Sequence, residues 1–149
     1  MSHARKEYTD FEKLAPDVFA VVRDLGQFAA KAGLDKQLLE LVKLRASQLN
    51  RCTYCIDMHT TALRKHGEAE ERIAALAEDP LPSELFTEAE RAALALTDAV
   101  TRLGEDGVPD PVWNQAAAHF DGKQLGDLVL GIATINVWNR IGIATRLDA

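Results

Sequence analysis

Only two cysteines occur among the 149 residues, and Cys52 and Cys55 fall within one four-residue stretch. A cross-link there closes too short a loop to constrain the unfolded chain much. The pair therefore points to chemistry or metal rather than to a structural staple. Nor is a staple needed, because a chain of this size buries roughly 68–70% of its unfolded surface on folding. Basic charge is also scarce. Seventeen Lys and Arg stand against 23 Asp and Glu, the formal net charge is −6, and no basic block stands out. A phosphate backbone and an anionic membrane surface are accordingly not expected partners. Long apolar runs are missing as well. The stretch from Leu125 to Ile143 is interrupted by Asp127, Asn136, Asn139 and Arg140, a load that a membrane span of ~20 residues does not normally carry. Met1 to Lys13 hold charges and no apolar h-region, so no secretory signal is expected. These absences predict a cytoplasmic protein, in a compartment that keeps thiols reduced.

What is present is helical. Pro16 opens a first helix, with Val18, Phe19, Val22, Leu25 and Phe28 on one face and Ala32-Gly33 at its end. Asp35 caps a second helix to about Gln48, with Leu38, Leu41, Val42 and Leu49 in its stripe. Either Asn50 or Thr53 caps a third, ended by Gly67. Glu68 to Ala77 reads as a short fourth helix, and Asp79-Pro80-Leu81-Pro82 as a loop. Thr87 and Glu90 form a capping box for a helix to about Leu103. A further helix covers Pro111 to Phe120, and the last runs from about Asp121-Gly122 to Thr145. No alternating strand pattern of useful length and no repeat is found. The expected fold is all-α, a compact bundle of six to seven helices in one domain over residues 1–149.

Cys52-Thr53-Tyr54-Cys55 is a CxxC motif, and His59 follows Cys55 by one helical turn. Residues i, i+3 and i+4 share a helix face, so the three side chains form one stripe near a helix N-terminus. There the helix dipole and free N–H groups favour a thiolate. In a CxxC a thiol pKa of ~8.5 can fall to ~7 or lower. A thiolate one turn from a base suits nucleophilic catalysis, and a second cysteine can trap a sulfenic acid as a disulfide. Glu40, on the preceding helix, can fold back beside His59. Tyr54, between the cysteines, either lines the site or simply packs.

Glu40, the CxxC, and Ile56-Asp57-Met58-His59 together resemble the signature of the alkylhydroperoxidase D family, within the carboxymuconolactone decarboxylase superfamily. Arg45 to Asn50 and Tyr54 to Thr60 are also similar to its short single-domain members. The resemblance is strong from Glu40 to Gly67, and beyond that it extends only to a helical frame with a long last helix. It implies an all-α fold, symmetric trimers or hexamers, and reduction of a small-molecule hydroperoxide through a Glu/His proton relay. Carried across, Cys55 is the attacking thiolate, Cys52 the resolving thiol, His59 the proton carrier and Glu40 its support. The implied reductant is an external dithiol, lipoyl or thioredoxin-like, and no cofactor or resident metal is implied. The superfamily's decarboxylases lack the CxxC, so lactone decarboxylation is not expected.

Other readings stay open at this stage. The dithiol can serve general disulfide exchange, or switch a binding surface without catalysis. Cys52, Cys55, His59 and His66 also offer four zinc donors, although His66 bears poorly for closing a tetrahedron. His66 can instead serve the helix C-terminus, His119 sits at a helix end, and His3 falls in a stretch expected to be disordered. In the last helix Gly126, Gly131 and Gly142 allow close contact within the core or between subunits. Asn136 and Asn139 are candidates to line a pocket in an oligomer. Trp113 and Trp138 are expected in core or interface.

Overall fold

The computed structural model describes residues 10–146, and the helix signals of the sequence become eight α-helices there. They are α1 (Phe11–Leu14), α2 (Pro16–Lys31), α3 (Lys36–Leu49), α4 (Thr53–Lys65), α5 (Glu70–Ala75), α6 (Glu88–Thr101), α7 (Asp110–His119) and α8 (Gly122–Thr145), with a 3-10 turn at Ser83–Leu85. No strand occurs among the described residues, only an isolated bridge between Gly104 and Gly107. His3 lies outside them. The count exceeds expectation by α1, a single turn capped by Asp10, whose carboxylate accepts from the Lys13 N–H.

Caps set the boundaries. Asp35 accepts from the Leu38 N–H at the start of α3. Both reciprocal bonds of the Thr87–Glu90 capping box open α6, and Asp121 with Gln124 does the same for α8. Each box satisfies two backbone donors that a helix start leaves unpaired.

Helix α3 sits at the centre and packs on α4, α6 and α8. Its Leu38, Leu39 and Val42 join Leu96, Leu128 and Ile132 in one apolar cluster. Leu41 and Leu44, on its other side, join Leu63, Leu76 and Leu94 in a second. Between them Arg45 is 1% exposed. Its guanidinium donates to both Asp98 oxygens at 2.8 and 2.9 Å, and to the carbonyls of Leu76 and Glu78 at 2.7 and 2.6 Å. A buried charge is tolerable only when paired in this way.

The apolar face of α2 is largely uncovered: Val18, Leu25 and Phe28 are exposed, Phe28 to 65%, and only Ala29 is buried in that helix. Helical periodicity reports that a face is apolar, not what covers it. The cap of α4 is neither Asn50 nor Thr53 but Cys52. Asn50 continues the α3 conformation, and Arg51 takes a left-handed backbone at φ 58°. Helix α8 is long and apolar enough to cross a membrane by length and composition. It nevertheless carries buried Asp127, Asn136 and Asn139 and packs on α2, α3 and α6.

Candidate functional site

The site grows out of the turn between α3 and α4. Left-handed Arg51 reverses the chain, the Cys52 N–H donates to the Ser47 carbonyl at 3.0 Å, and the Ile56 N–H donates to the Cys52 carbonyl at 2.8 Å. Helix α4 is thereby laid back along α3. Glu40 and His59 meet across the two helices, with Nδ1 of His59 2.8 Å from Oε2 of Glu40.

The electrostatics of this pair follow from its surroundings. Burial pushes the Glu40 carboxyl up. The hydrogen bond and charge of His59 and the ammonium of Lys43, 3.5 Å away, outweigh burial and hold it below its ordinary 4.5. Glu40 is therefore ionised at neutral pH. An ionised carboxylate only accepts, so Nδ1 of His59 carries the proton, and Nε2 is the acceptor nitrogen of the neutral ring.

Cys52 and Cys55 are joined as a disulfide with their Cα atoms 5.3 Å apart. Both are buried, each 3% exposed. Helix α8 crosses directly over the sulfurs at Gly142. A Cβ built there would lie 3.2 Å from Sγ of Cys52 and 3.8 Å from Sγ of Cys55, which is why only glycine fits without adjustment. Gly131 does the same one stretch earlier, where a Cβ would lie 3.0 Å from Leu39 Cδ2.

A cavity of about 480 Å³ opens among α1, α2, α3, α4 and α8. Cys55 and His59 both line it, whereas Cys52 does not. Its walls are mainly apolar, formed by Phe19, Leu39, Met58, Ile135 and Trp138 among others. Phe19 and Trp138 meet edge to face with ring centres 5.4 Å apart. Tyr54, nearly half exposed, also lines this cavity. The volume falls in the range of ~300–1,000 Å³ that small-molecule sites occupy.

Behind the turn runs a polar chain that sequence reasoning did not assemble. Asn139, fully buried, donates to Ser47 Oγ at 3.0 Å, and Ser47 Oγ donates to the Lys43 carbonyl at 2.7 Å. Asn50 donates to Asn136 and Asn139 at 2.8 and 2.9 Å. Asn136 accepts from Arg140 at 2.7 Å and donates to Thr101 at 3.0 Å. In the described chain, then, Asn136 and Asn139 do not line the cavity but hold the turn that presents the CxxC. The signal was two amides in an otherwise apolar helix, since buried amides demand partners. Trp138 and Gly142 were likewise seen in sequence, but not as a cavity wall and a seat for the sulfurs.

His66 is the C-cap of α4 and lines a separate hollow. Among the described residues no group of three or more His, Cys, Asp or Glu is placed to hold a metal ion. Trp113 is 41% exposed, outside the cavity.

Fold and site together define an all-helical dithiol protein whose CxxC opens a helix and is backed by a Glu–His pair. Residues 16–99 match the model of the carboxymuconolactone decarboxylase family. The chain is 37% identical over 134 residues to the uncharacterised protein YdfG of Bacillus subtilis, covering 90% of each. It is 29% identical over 119 residues to the uncharacterised protein YnjA of Escherichia coli, covering 80% of this chain and 64% of that one. Among solved structures it is similar to ATU0492 of Agrobacterium tumefaciens, described as a putative antioxidant defence protein AhpD. The TM-score is 0.88 at 36% identity, covering 92% of this chain and 93% of that one. An uncharacterised peroxidase-related protein from Silicibacter sp. TM1040 shares the fold, with a TM-score of 0.71 at 20% identity, covering 87% of this chain and 67% of that one. The chain belongs to the carboxymuconolactone decarboxylase family, as an AhpD-like member. Membership and the disulfide together point to an antioxidant redox role.

Proposed function

We propose that the protein is a thiol-dependent peroxidase that reduces an organic hydroperoxide through a Cys52–Cys55 dithiol/disulfide cycle. One observation carries the reading: Cys55 and the Glu40-backed His59 share the wall of one cavity, and Cys52 is bonded to Cys55 from outside it.

In the reduced protein, Nε2 of His59 takes the Cys55 proton. The thiolate attacks the terminal oxygen of ROOH, the O–O bond breaks, and the alkoxide leaves as ROH with the proton returned by His59. Cys55 is now a sulfenic acid. Cys52 sulfur attacks Cys55 Sγ, and the hydroxyl departs as water with the Cys52 proton. An external dithiol, lipoyl or thioredoxin-like, then exchanges with the disulfide, restoring both thiols and becoming oxidised itself. Helix α4 supports the thiolate through its N-terminal N–H groups. Glu40 supports the imidazolium that forms between the two proton transfers. Tyr54 lines the approach.

A cytoplasmic location fits a thiol that must be returned to its reduced form. Assembly into a homo-oligomer, a trimer or hexamer, belongs to the same reading and is supported by the uncovered apolar face of α2, where Val21 is 69% and Phe28 65% exposed.

The test is stoichiometric. Cumene hydroperoxide mixed with the reduced protein should consume two thiols and form an intramolecular disulfide for each peroxide reduced. Cys52→Ser should stop at a sulfenic acid that dimedone captures. Full turnover by Cys55→Ser with a reductant present would overturn the assignment of the attacking sulfur.

A further inference from the structure

A second hollow of about 520 Å³ lies against the first and shares Gln27, Ala30, Leu39 and Lys43 with it. Its chemistry is opposite to that of its neighbour. Lys31, Lys36, Lys43 and His66 line it, against the single carboxylate of Glu40. Glu40 is already committed to His59 and Lys43. Lys31 and Lys36 have no ion-pair partner among the described residues, and both are exposed. This gathering of cations stands out in a chain of net charge −6. Lys31 ends α2 and Lys36 begins α3, so the short connection between those helices brings them to one place. Inside the apolar cavity, Arg23 and Lys43 are the cationic lining residues and Glu12 the anionic one.

We infer that the two hollows form one amphiphile site, which takes a hydroperoxide with an apolar chain and a carboxylate head. The chain lies along the wall formed by Phe19 and Trp138 with its reactive group toward Cys55 and His59. The carboxylate passes Lys43 and rests among Lys31 and Lys36. The reacting end of this assignment rests on the peroxidase reading, while the binding itself does not. Hydrogen peroxide and small neutral hydroperoxides fill neither part, and so forgo both apolar burial and charge pairing.

Binding is read directly from Trp138. In a Trp113→Phe background, the full chain is titrated with decanoate and with methyl decanoate while tryptophan emission is followed. Decanoate should saturate at about ten-fold lower concentration than the ester, a preference that weakens with added salt. Lys31→Ala with Lys36→Ala should cost decanoate about three- to ten-fold in affinity and leave the ester unchanged. Neither lysine belongs to the redox machinery, and as exposed residues both are removable without loss of fold. Equal affinity for acid and ester, or an unchanged acid preference in the double variant, would overturn the inference. A kinetic arm separates the two proposals. Linoleic acid hydroperoxide should oxidise the reduced thiols faster than its methyl ester. If decanoate binds as stated but no hydroperoxide oxidises the thiols, the peroxidase reading fails and the site stands. If both hydroperoxides react equally and both decanoyl ligands bind equally, the amphiphile site fails and the peroxidase reading stands.

Discussion

Replacing Glu40 by Gln removes one charge and almost no volume. The side chain is buried beside His59, with 16% and 12% of the two side chains exposed, so solvent screens the contact only partly. A glutamine carbonyl can still accept from Nδ1 at the observed 2.8 Å, which keeps the ring orientation. What is lost is the charge assistance to the imidazolium. Hydrogen bonds to charged groups contribute about 1.5–3 kcal/mol against about 0.5–1.5 kcal/mol for neutral ones, so the loss of about 1–1.5 kcal/mol should slow thiol oxidation roughly 5- to 13-fold. The assay is single-turnover stopped flow with reduced protein and cumene hydroperoxide, following thiol loss. Two controls bind the effect to His59. In a His59→Ala background, Glu40→Gln should add little, because residues acting as one unit are not additive. The pH profile should also change. Glu40 is held below its ordinary 4.5, so its charge is present across the neutral range and is lost only as acid protonates the carboxylate. The ratio of native to Glu40→Gln rates should therefore be constant near neutrality and shrink toward one in acid. Additive losses in the double variant, or a rate ratio that does not shrink in acid, would refute the coupling.

Two other outcomes follow from packing. Arg45→Ala leaves the Leu76 carbonyl without its buried donor and Asp98 without its fork, so urea unfolding should show a loss of about 3–5 kcal/mol, and a loss under 1 kcal/mol would contradict the assigned role. Gly142→Ala gains about 1 kcal/mol of helix propensity, but its Cβ would press on Sγ of Cys52 at 3.2 Å, where overpacking costs about 1–3 kcal/mol. The oxidised protein should thus melt at or below its present Tm, and a clear rise would show that the sulfurs give way freely.

The hairpin that carries the CxxC was legible because its signals are local. Asp35 caps α3, Gly67 follows α4 at φ 79°, and the CxxC-to-His spacing needs only the 3.6-residue period. The placement of Glu40 beside His59 was legible too, once two antiparallel helices are granted. What covers α2 was not legible, because an apolar stripe is the same whether it meets the chain's own core or stays uncovered, as Val21 and Phe28 do here. The cap was missed because Arg51, not a glycine, takes the left-handed position, leaving Cys52 to begin the helix. The amide chain through Asn50, Asn136 and Asn139 was beyond reach, since its partners lie 86 and 89 residues apart in sequence.

All four side chains of the proposed redox site, Glu40, Cys52, Cys55 and His59, belong to a single helix–turn–helix, whereas the cavity wall is shared: Leu39 and Met58 come from that hairpin, and Phe19, Ile135 and Trp138 from α2 and α8. On this reading reactivity is confined to the hairpin, and choice of guest is divided between it and the flanking helices. Altering Phe19 or Trp138 offers a way to retune which molecules are admitted while leaving those four side chains in place. The motif is in that sense a cartridge, and α8 is fitted to it at Asn139 and Gly142 while its neighbouring wall positions are open to change.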